Sequence, residues 1–287
     1  MTTSAVGVIG LGLMGGALAA RLRAGGRRVV GFDLRPECRD KLAPDEAAPS
    51  ARAVFAAARV VVLSLPDSAA VAAVLADATD LLAGAIVIDT TTGDPDASAA
   101  VGERLAAAGA EYLDATLTGS SREAAAGELV VTAGGRADAF CACEDLFRLF
   151  ARRWFHVGPW GSGARAKLAV NLVLGLNRAA LAEGLGFARR CGLDPAALLD
   201  VLRCGAAYSR VMDTKGAKML AGDFTPEARL AQHLKDVRLV LAQGEQAGAR
   251  LPLSTLHEQL LAELVTAGFG ECDNSSVIRA FDPGEAP

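Results

Sequence analysis

A lysine and an asparagine four residues apart follow a glycine-rich turn in the segment GSGARAKLAVN, residues 161–171. The spacing predicts that Lys167 and Asn171 lie on one face of a helix. Gly161 and Gly163 lack a Cβ, so another backbone or a flat ligand can approach just before the helix begins. In such a place Lys167 could move a proton while the Asn171 amide holds an oxygen beside it. These residues alone leave open the alternative of a solvent-facing lysine on an ordinary long helix.

A second glycine-rich turn lies near the N-terminus and points to a cofactor. An apolar run over 5–10 leads into G-x-G-x-x-G and then into a helical stretch that ends near Gly25. This order is typical of dinucleotide binding, because the free N–H groups and the positive dipole end of the helix face the pyrophosphate. A glycine turn that binds nothing is the alternative. The residues of the turn are Gly10, Leu11, Gly12, Leu13, Met14 and Gly15.

An acidic residue beyond this turn bears on the choice between NAD and NADP. The next apolar run, 28–33, ends in Asp33, where a carboxylate can accept a hydrogen bond from the ribose 2′-hydroxyl. Asp33 favours NAD, since a carboxylate repels the 2′-phosphate of NADP. Arg35 and Arg39 follow closely and could offset that repulsion, so NADP stays open.

Apolar strand runs alternate with helical segments in the first half of the chain, and the second half is helical. Further strands are predicted over 58–66, 85–95, 111–120, 128–135 and 152–158, with a helix over 136–150. Helices are predicted over 164–190, 195–204, 208–221, 226–248 and 252–268. The pairs Asp94-Pro95 and Asp194-Pro195 are each predicted to start a helix. We therefore predict an α/β protein, with a Rossmann-type doubly wound sheet in a dinucleotide-binding domain over 1–160. An all-helical substrate and oligomerisation domain follows over 161–287, beginning with a long central helix.

Two segments of the chain lead to further predictions. Thr118, Gly119 and Ser120 form a loop of small residues whose free N–H groups would suit a carboxylate, although a plain tight turn explains them equally well. The helix over 164–190 is apolar on nearly all faces, which predicts burial inside the helical domain or at a subunit interface. A homodimer or homotetramer is therefore expected.

Composition narrows the classes of function. The chain has 287 residues, 52% hydrophobic and 22% charged, and a net charge of -4, which describes a globular protein without the basic surface that nucleic acid binding requires. We see no charged leader and no apolar run of membrane-spanning length, so we expect a cytoplasmic protein without a membrane partner. The six cysteines lack metal-ligand spacing and are expected to be reduced and mostly buried. The three histidines form no motif, and no metal site is predicted.

Five segments, in order along nearly the whole chain, resemble the β-hydroxyacid dehydrogenase family, which includes 3-hydroxyisobutyrate dehydrogenases and tartronate semialdehyde reductases. They are GLGLMG at 10–15, DATLTGSSREAAAGEL at 114–129, GSGARAKLAVN at 161–171, LKD at 234–236 and DNSSV at 273–277. The resemblance implies NAD(P)-dependent hydride transfer between nicotinamide and a small 3-hydroxy acid or its semialdehyde. It implies that Lys167 is the catalytic acid and base and that Asn171 positions the substrate.

The same resemblance implies roles for the remaining candidates. Thr118, Gly119 and Ser120 would hold the substrate carboxylate, and Lys235 would lie near the nicotinamide. Leu65, Pro66 and Thr92 would line the cofactor.

The chain departs from the family pattern in its substrate loop. Ser120 stands where the family has a second loop glycine, Thr118 where it usually has serine, and Leu172 where it has a second asparagine. We expect a substrate other than hydroxyisobutyrate, with a second anionic group met by Arg122. An imine reductase-like enzyme and a non-catalytic dinucleotide-binding scaffold are the alternatives, but relatives of those kinds generally replace the lysine. A 6-phosphogluconate-type substrate fits less well, since the chain is short and has no dense phosphate-binding cluster.

Overall fold

The computed structural model describes residues 5–282 and divides after Lys167 into two compact units. The N-terminal unit contains one seven-stranded sheet in the order β2-β1-β3-β4-β5-β6-β7. The strands are β1 Val6–Ile9, β2 Val29–Phe32, β3 Val60–Leu63, β4 Ile86–Asp89, β5 Glu111–Thr118, β6 Leu129–Gly135 and β7 Ala151–Gly158. Every predicted strand is present. The unit boundary, however, lies inside the long helix and seven residues beyond the predicted end of the first domain.

Strand direction changes once in this sheet. Strands β1 to β5 are parallel to one another, β5 and β6 pair antiparallel, and β6 and β7 are parallel to each other. The order reverses between β1 and β3, because β2 lies on the far side of β1. In open α/β sheets, ligands bind beyond the carboxyl ends of the strands at such a reversal. The sheet therefore directs the residues that follow β1 and β3 to one place.

Helices cover both faces of the sheet. They are α1 Leu13–Ala24, α2 Pro36–Arg39, α3 Ala51–Ala57, α4 Ser68–Asp77, α5 Pro95–Ala107, α6 Ser121–Ala126 and α7 Ala137–Phe150. Successive strand residues pack on opposite faces: Val62 and Ile88 lie in a cluster with Phe147, and Val61 and Val87 lie in another. Burial on both faces explains why these strands are continuous valine-rich runs rather than alternating ones.

The C-terminal unit is helical over its described residues, as predicted, and residues 283–287 of that prediction lie outside them. Helix α8, Ser162–Arg190, enters it from the N-terminal unit, and α9 Pro195–Cys204, α10 Val211–Ala221, α11 Leu230–Gln246 and α12 Pro252–Leu264 follow. A π-helical turn, Val265–Phe269, and a 3₁₀ helix, Asn274–Ala280, complete the unit. The predicted Asp-Pro helix starts are correct, since Asp94 and Asp194 each accept hydrogen bonds from two N–H groups of the first turn.

Helix α8 bears on two expectations. It is not buried on all faces within the chain, since Val173 is 56% exposed and Phe187 67%, and burial at a subunit interface stays a prediction. It is also long and apolar enough to cross a membrane by length and composition, with a mean hydropathy of 1.3 in its best window. The expectation that no run of this length exists is therefore wrong, because the isolated charged residues do not lower the mean hydropathy of the helix enough to exclude it. A core helix of a soluble protein passes the same test, so this finding is weak evidence for a membrane segment.

The cysteine expectation is only partly correct. All six thiols are free, but only Cys38 and Cys143 are buried, whereas Cys141, Cys191 and Cys204 are exposed. Cys141 and Cys143 lie two positions apart on α7, and residues at that spacing point to different sides of a helix.

Candidate functional site

The glycine turn after β1 has the backbone geometry of a phosphate cradle. Gly10 has φ 89°, in the region that favours glycine. A Cβ on Gly10 would overlap the carbonyl oxygen of Ser64 at the end of β3, and one on Gly15 would overlap the carbonyl oxygen of Gly10. Both glycines are therefore required by close backbone approach.

The second glycine of the turn, Gly12, approaches a flexible side chain rather than the backbone. A Cβ on Gly12 would meet only the guanidinium Nη2 of Arg35, at 3.2 Å. Gly12 is the N-cap of α1, and no side chain caps the N–H groups of the first turn. A 12-residue helix that presents such N–H groups beside a glycine suits a pyrophosphate. The turn thus fits the dinucleotide that its sequence pattern predicts.

Asp33 is already engaged by protein donors. Its carboxylate accepts hydrogen bonds from the N–H of Leu11 at 2.7 Å and from the N–H of Arg35 at 2.9 Å. The guanidinium of Arg35 also contacts both carboxylate oxygens, at 3.2 and 3.3 Å. Burial alone would raise the pKa of Asp33, but the hydrogen bonds with Arg35 and Leu11 outweigh it, and the pKa lies below its ordinary value. Asp33 is therefore a fixed negative charge beside the turn.

Leu65, Pro66 and Thr92 follow β3 and β4 at the same edge of the sheet. The N–H of Leu65 donates to the Thr91 hydroxyl at 3.2 Å, and the Leu65 side chain lies beside Gly10. Pro66 is exposed and Thr92 half-buried. The structure thus brings Leu65 to the glycine turn, and contact of Pro66 and Thr92 with a cofactor stays a prediction.

A buried carboxylate in β5 fixes the start of α8. Asp114 is 2% exposed and accepts hydrogen bonds from the N–H groups of Gly161 at 3.1 Å and Ala164 at 2.9 Å. The Thr116 hydroxyl donates to the carbonyl of Gly163 at 2.9 Å. A Cβ on Gly163 would overlap the carbonyl oxygen of Asp114. Sequence reasoning assigned no role to Asp114, although it opens one of the family-like segments.

Burial has the largest effect on the pKa of the Asp114 carboxyl group. It raises the pKa of Asp114 to about 6, even though the two N–H donors act in the opposite direction. The carboxylate thus holds the glycine turn one helical turn before Lys167, and its charge changes near neutral pH.

Lys167 and Asn171 lie one turn apart on α8, as their spacing predicts. Lys167 is half-buried, and Asn171 is 8% exposed. The amide of Asn171 donates to the carboxylate of Asp236 on α11 at 3.0 Å. Lys235, the neighbour of Asp236, is half-buried on the same helix. The LKD segment therefore supplies the group that orients Asn171, and the proximity of Lys235 to nicotinamide stays a prediction.

The substrate loop corrects an expectation. We expected Thr118, Gly119 and Ser120 to offer free N–H groups to an anion, but the N–H of Ser120 donates to the Glu123 carboxylate at 2.8 Å. The Ser120 hydroxyl lies 3.1 Å from the same carboxylate oxygen and accepts from the N–H of Glu123 at 3.3 Å.

This reciprocal pair is a capping box at the start of α6, and its Ser-x-x-Glu pattern is visible in the sequence. The loop thus carries a negative charge of its own. Arg122, between the two partners, is exposed.

Comparisons with known proteins agree with this geometry. Residues 5–158 match the family model described as the NAD binding domain of 6-phosphogluconate dehydrogenase. Residues 161–281 match the model described as NAD-binding of NADP-dependent 3-hydroxyisobutyrate dehydrogenase. L-threonate dehydrogenase of Cupriavidus necator is 34% identical, over 98% of this chain and 97% of the relative.

Two further proteins are similar over nearly the full length. Glyoxylate/succinic semialdehyde reductase 1 of Arabidopsis thaliana is 30% identical over 96% of this chain and 97% of its own. The solved structure of Mycobacterium tuberculosis 3-hydroxyisobutyrate dehydrogenase with L-serine has a TM-score of 0.89 at 26% identity, covering 96% of this chain and 98% of that one. With both units matched and the cofactor turn in place, the chain belongs to the β-hydroxyacid dehydrogenase family of NAD(P)-binding oxidoreductases.

Proposed function

We propose that this protein transfers hydride between NAD(P) and a small 3-hydroxy acid or its semialdehyde, with Lys167 as general acid and base. The observation that carries the proposal is the anchored start of α8, where Asp114 and Gly163 fix the backbone one turn before Lys167. A proton-transfer group must be held within hydrogen-bond reach of its substrate atom, and a rigid helix start provides such a hold.

Lys167 has one task in each direction of the reaction. The cofactor, when bound, accepts or supplies the hydride, and the protein manages the proton. In oxidation the amine of Lys167 accepts the hydroxyl proton, and in reduction its ammonium donates a proton to the carbonyl oxygen. A lysine in water has a pKa of about 10.4, so the oxidation direction requires surroundings that favour the neutral amine. Asn171, oriented by Asp236, holds the same substrate oxygen.

NAD is the preferred cofactor in this proposal. Asp33 is buried and ionised beside the glycine turn, where a 2′-phosphate would meet its charge. Arg35 is already paired with that carboxylate, so its own charge is largely balanced. The relatives named above act on L-threonate, on glyoxylate or succinic semialdehyde, and on 3-hydroxyisobutyrate, and we propose a substrate of this size with a carboxylate.

We also propose that the protein is a homo-oligomer. The C-terminal unit exposes several large apolar side chains, and contact with a second copy would remove that apolar surface from water. Four of them are Val173, Phe187, Val201 and Leu253, which are 56%, 67%, 65% and 65% exposed. Light scattering on the purified protein tests this point, and a monomer at micromolar concentration contradicts it.

A substrate panel tests the proposed reaction. Small 3-hydroxy acids, their semialdehydes and cyclic imines are each assayed with NADH or NAD and with the phosphorylated cofactors. The proposal expects turnover of hydroxy acids and aldehydes with a preference for NAD(H), and an Arg122→Ala variant with a weakened preference for dianionic over monoanionic substrates. Turnover of imines alone, or none with any substrate despite NADH binding, contradicts it.

A further inference from the structure

A buried arginine in the C-terminal unit lacks hydrogen-bond partners at two of its nitrogens. Arg178, on α8, is 5% exposed, and its Nε and Nη1 have no partner within the described part of the chain. Burying an ionised group without a partner is expensive, so buried guanidinium groups are normally paired with an anion. Burial lowers the pKa of Arg178 to about 10, which leaves it charged near neutral pH.

Two histidines from other helices meet α8 close to this arginine. The rings of His233 on α11 and His257 on α12 lie 5.2 Å apart. Both lie over Gly175, three residues before Arg178: a Cβ there would be 2.6 Å from Nε2 of His233 and 2.8 Å from Cε1 of His257. His233 is 7% exposed, and its Nε2 also has no partner among the described residues. A third unpartnered nitrogen thus belongs to the same cluster.

Neither histidine can balance the arginine. Burial, and then the charge of Arg178, lower the pKa of His233 well below its ordinary value and that of His257 to about 4. Both rings are therefore neutral at pH 7, and a neutral ring offers no negative charge.

The nearby carboxylate is committed elsewhere. Asp273 attracts the charge of Arg178, but its oxygens accept from the ammonium of Lys215 at 2.9 and 3.0 Å. They also accept from three backbone N–H groups at 2.9, 3.1 and 3.0 Å. Lys215 also pairs with Glu227 at 2.9 Å, so the Asp273 charge attracts Arg178 without filling the hydrogen-bonding positions at its Nε and Nη1.

We propose that the C-terminal unit binds a small monovalent anion of the halide class, such as chloride, between Arg178 and His233. The donors come from α8 and α11, with the His257 ring of α12 beside them, so the ion would link three helices. All three side chains are at least nine-tenths buried, which favours an ion that is small and loses its hydration readily.

The Arg178 end of this anion site lies away from the proposed general acid and base: Arg178 is eleven residues beyond Lys167 on α8, a distance of roughly 16 Å along the helix axis. The His233 end lies one turn of α11 before Asp236, the partner of Asn171. Halide binding can be measured without substrate, so the inference does not depend on the reaction.

Thermal unfolding of the full chain tests the proposal. Gluconate is replaced by chloride or bromide at constant ionic strength, and Tm is followed for the wild type, Arg178→Met and Arg190→Met. Arg190 is an exposed arginine at the end of the same helix, so it controls for general charge effects. The proposal expects a saturable rise in Tm of about 3 °C or more in the wild type and in Arg190→Met, and its loss in Arg178→Met.

Bromide-soaked crystals give an independent readout that does not rely on a variant. An anomalous peak within contact distance of the Arg178 guanidinium supports the site. The proposal is overturned if no bromide is found there, or if the halide effect is absent or persists equally in Arg178→Met.

Discussion

The glycine that starts α8 provides a sharp test of how Lys167 is held. In a Gly163→Ala variant the new Cβ overlaps the carbonyl oxygen of Asp114 and lies 2.8 Å from the carbonyl oxygen of Thr132. Both obstacles are backbone atoms of paired strands, so the start of α8 must move away from β5. That movement strains the hydrogen bonds that Asp114 and Thr116 make to the turn.

The expected loss of unfolding free energy follows from these contacts. Overpacking costs about 1–3 kcal/mol, and weakening hydrogen bonds to a carboxylate costs about 1.5–3 kcal/mol more. We therefore expect Gly163→Ala to lose about 3 kcal/mol or more of unfolding free energy, and to lose turnover because Lys167 moves with the turn. Gly184→Ala is the matched control, since it lies in α8 with no atom within 4 Å of its Cβ position. It should be neutral or stabilise by up to about 1 kcal/mol.

Unfolding in guanidinium chloride measures the stability of both variants. Trp154 and Trp160 are the only tryptophans and both lie in the N-terminal unit, so their fluorescence follows the unit that contains Gly163. Circular dichroism follows the helices, including α8. If Gly163→Ala unfolds within about 1 kcal/mol of the wild type, the overlap with Asp114 is relieved at little cost, and the glycine does not set the position of the helix.

Two further predictions concern carboxylates. Burial raises the folded-state pKa of Asp114 to about 6, so the stability it contributes is full below about pH 3.8 and is lost as pH rises through about 6. The wild type should lose about 2 kcal/mol of unfolding free energy relative to Asp114→Asn between pH 4 and 7, and a pH-independent difference in urea unfolding would show that burial does not raise the pKa of Asp114. Replacing Glu123 by Gln removes the charge that occupies the N–H of Ser120. Steady-state kinetics should then give a KM several-fold lower for a carboxylate substrate but not for its amide, whereas equal changes for both would reject a charge effect.

Much of the fold follows from local patterns. The strands of the N-terminal unit are apolar runs because both sheet faces are covered, and Asp94-Pro95 and Asp194-Pro195 mark helix starts by their capping chemistry. The antiparallel entry of β6 was not predicted, because the short connection through α6 has no sequence signal for strand direction. The boundary between the two units also lies inside a continuous helix, where no turn residue marks it.

Only the parts of the candidate site that depend on residues close together in the sequence could be predicted. The glycine turn and the Lys167–Asn171 spacing are short-range patterns, and the Ser120–Glu123 capping box could have been found in the same way. In contrast, Arg178 and His257 are separated by nearly eighty residues of chain. Contacts between such distant residues depend on tertiary packing, and no periodicity in the sequence reports them.

The most direct test of the central claim is turnover by a Lys167→Ala variant, measured beside NADH binding by fluorescence titration. Arg165→Ala serves as the control, because Arg165 is an exposed cation on the same turn of α8, paired with Asp96. We predict that Lys167→Ala lowers kcat by a factor on the order of 100 or more, as for a lost general acid and base, with NADH affinity unchanged and Arg165→Ala active. Turnover by Lys167→Ala equal to that of the wild type would contradict the account.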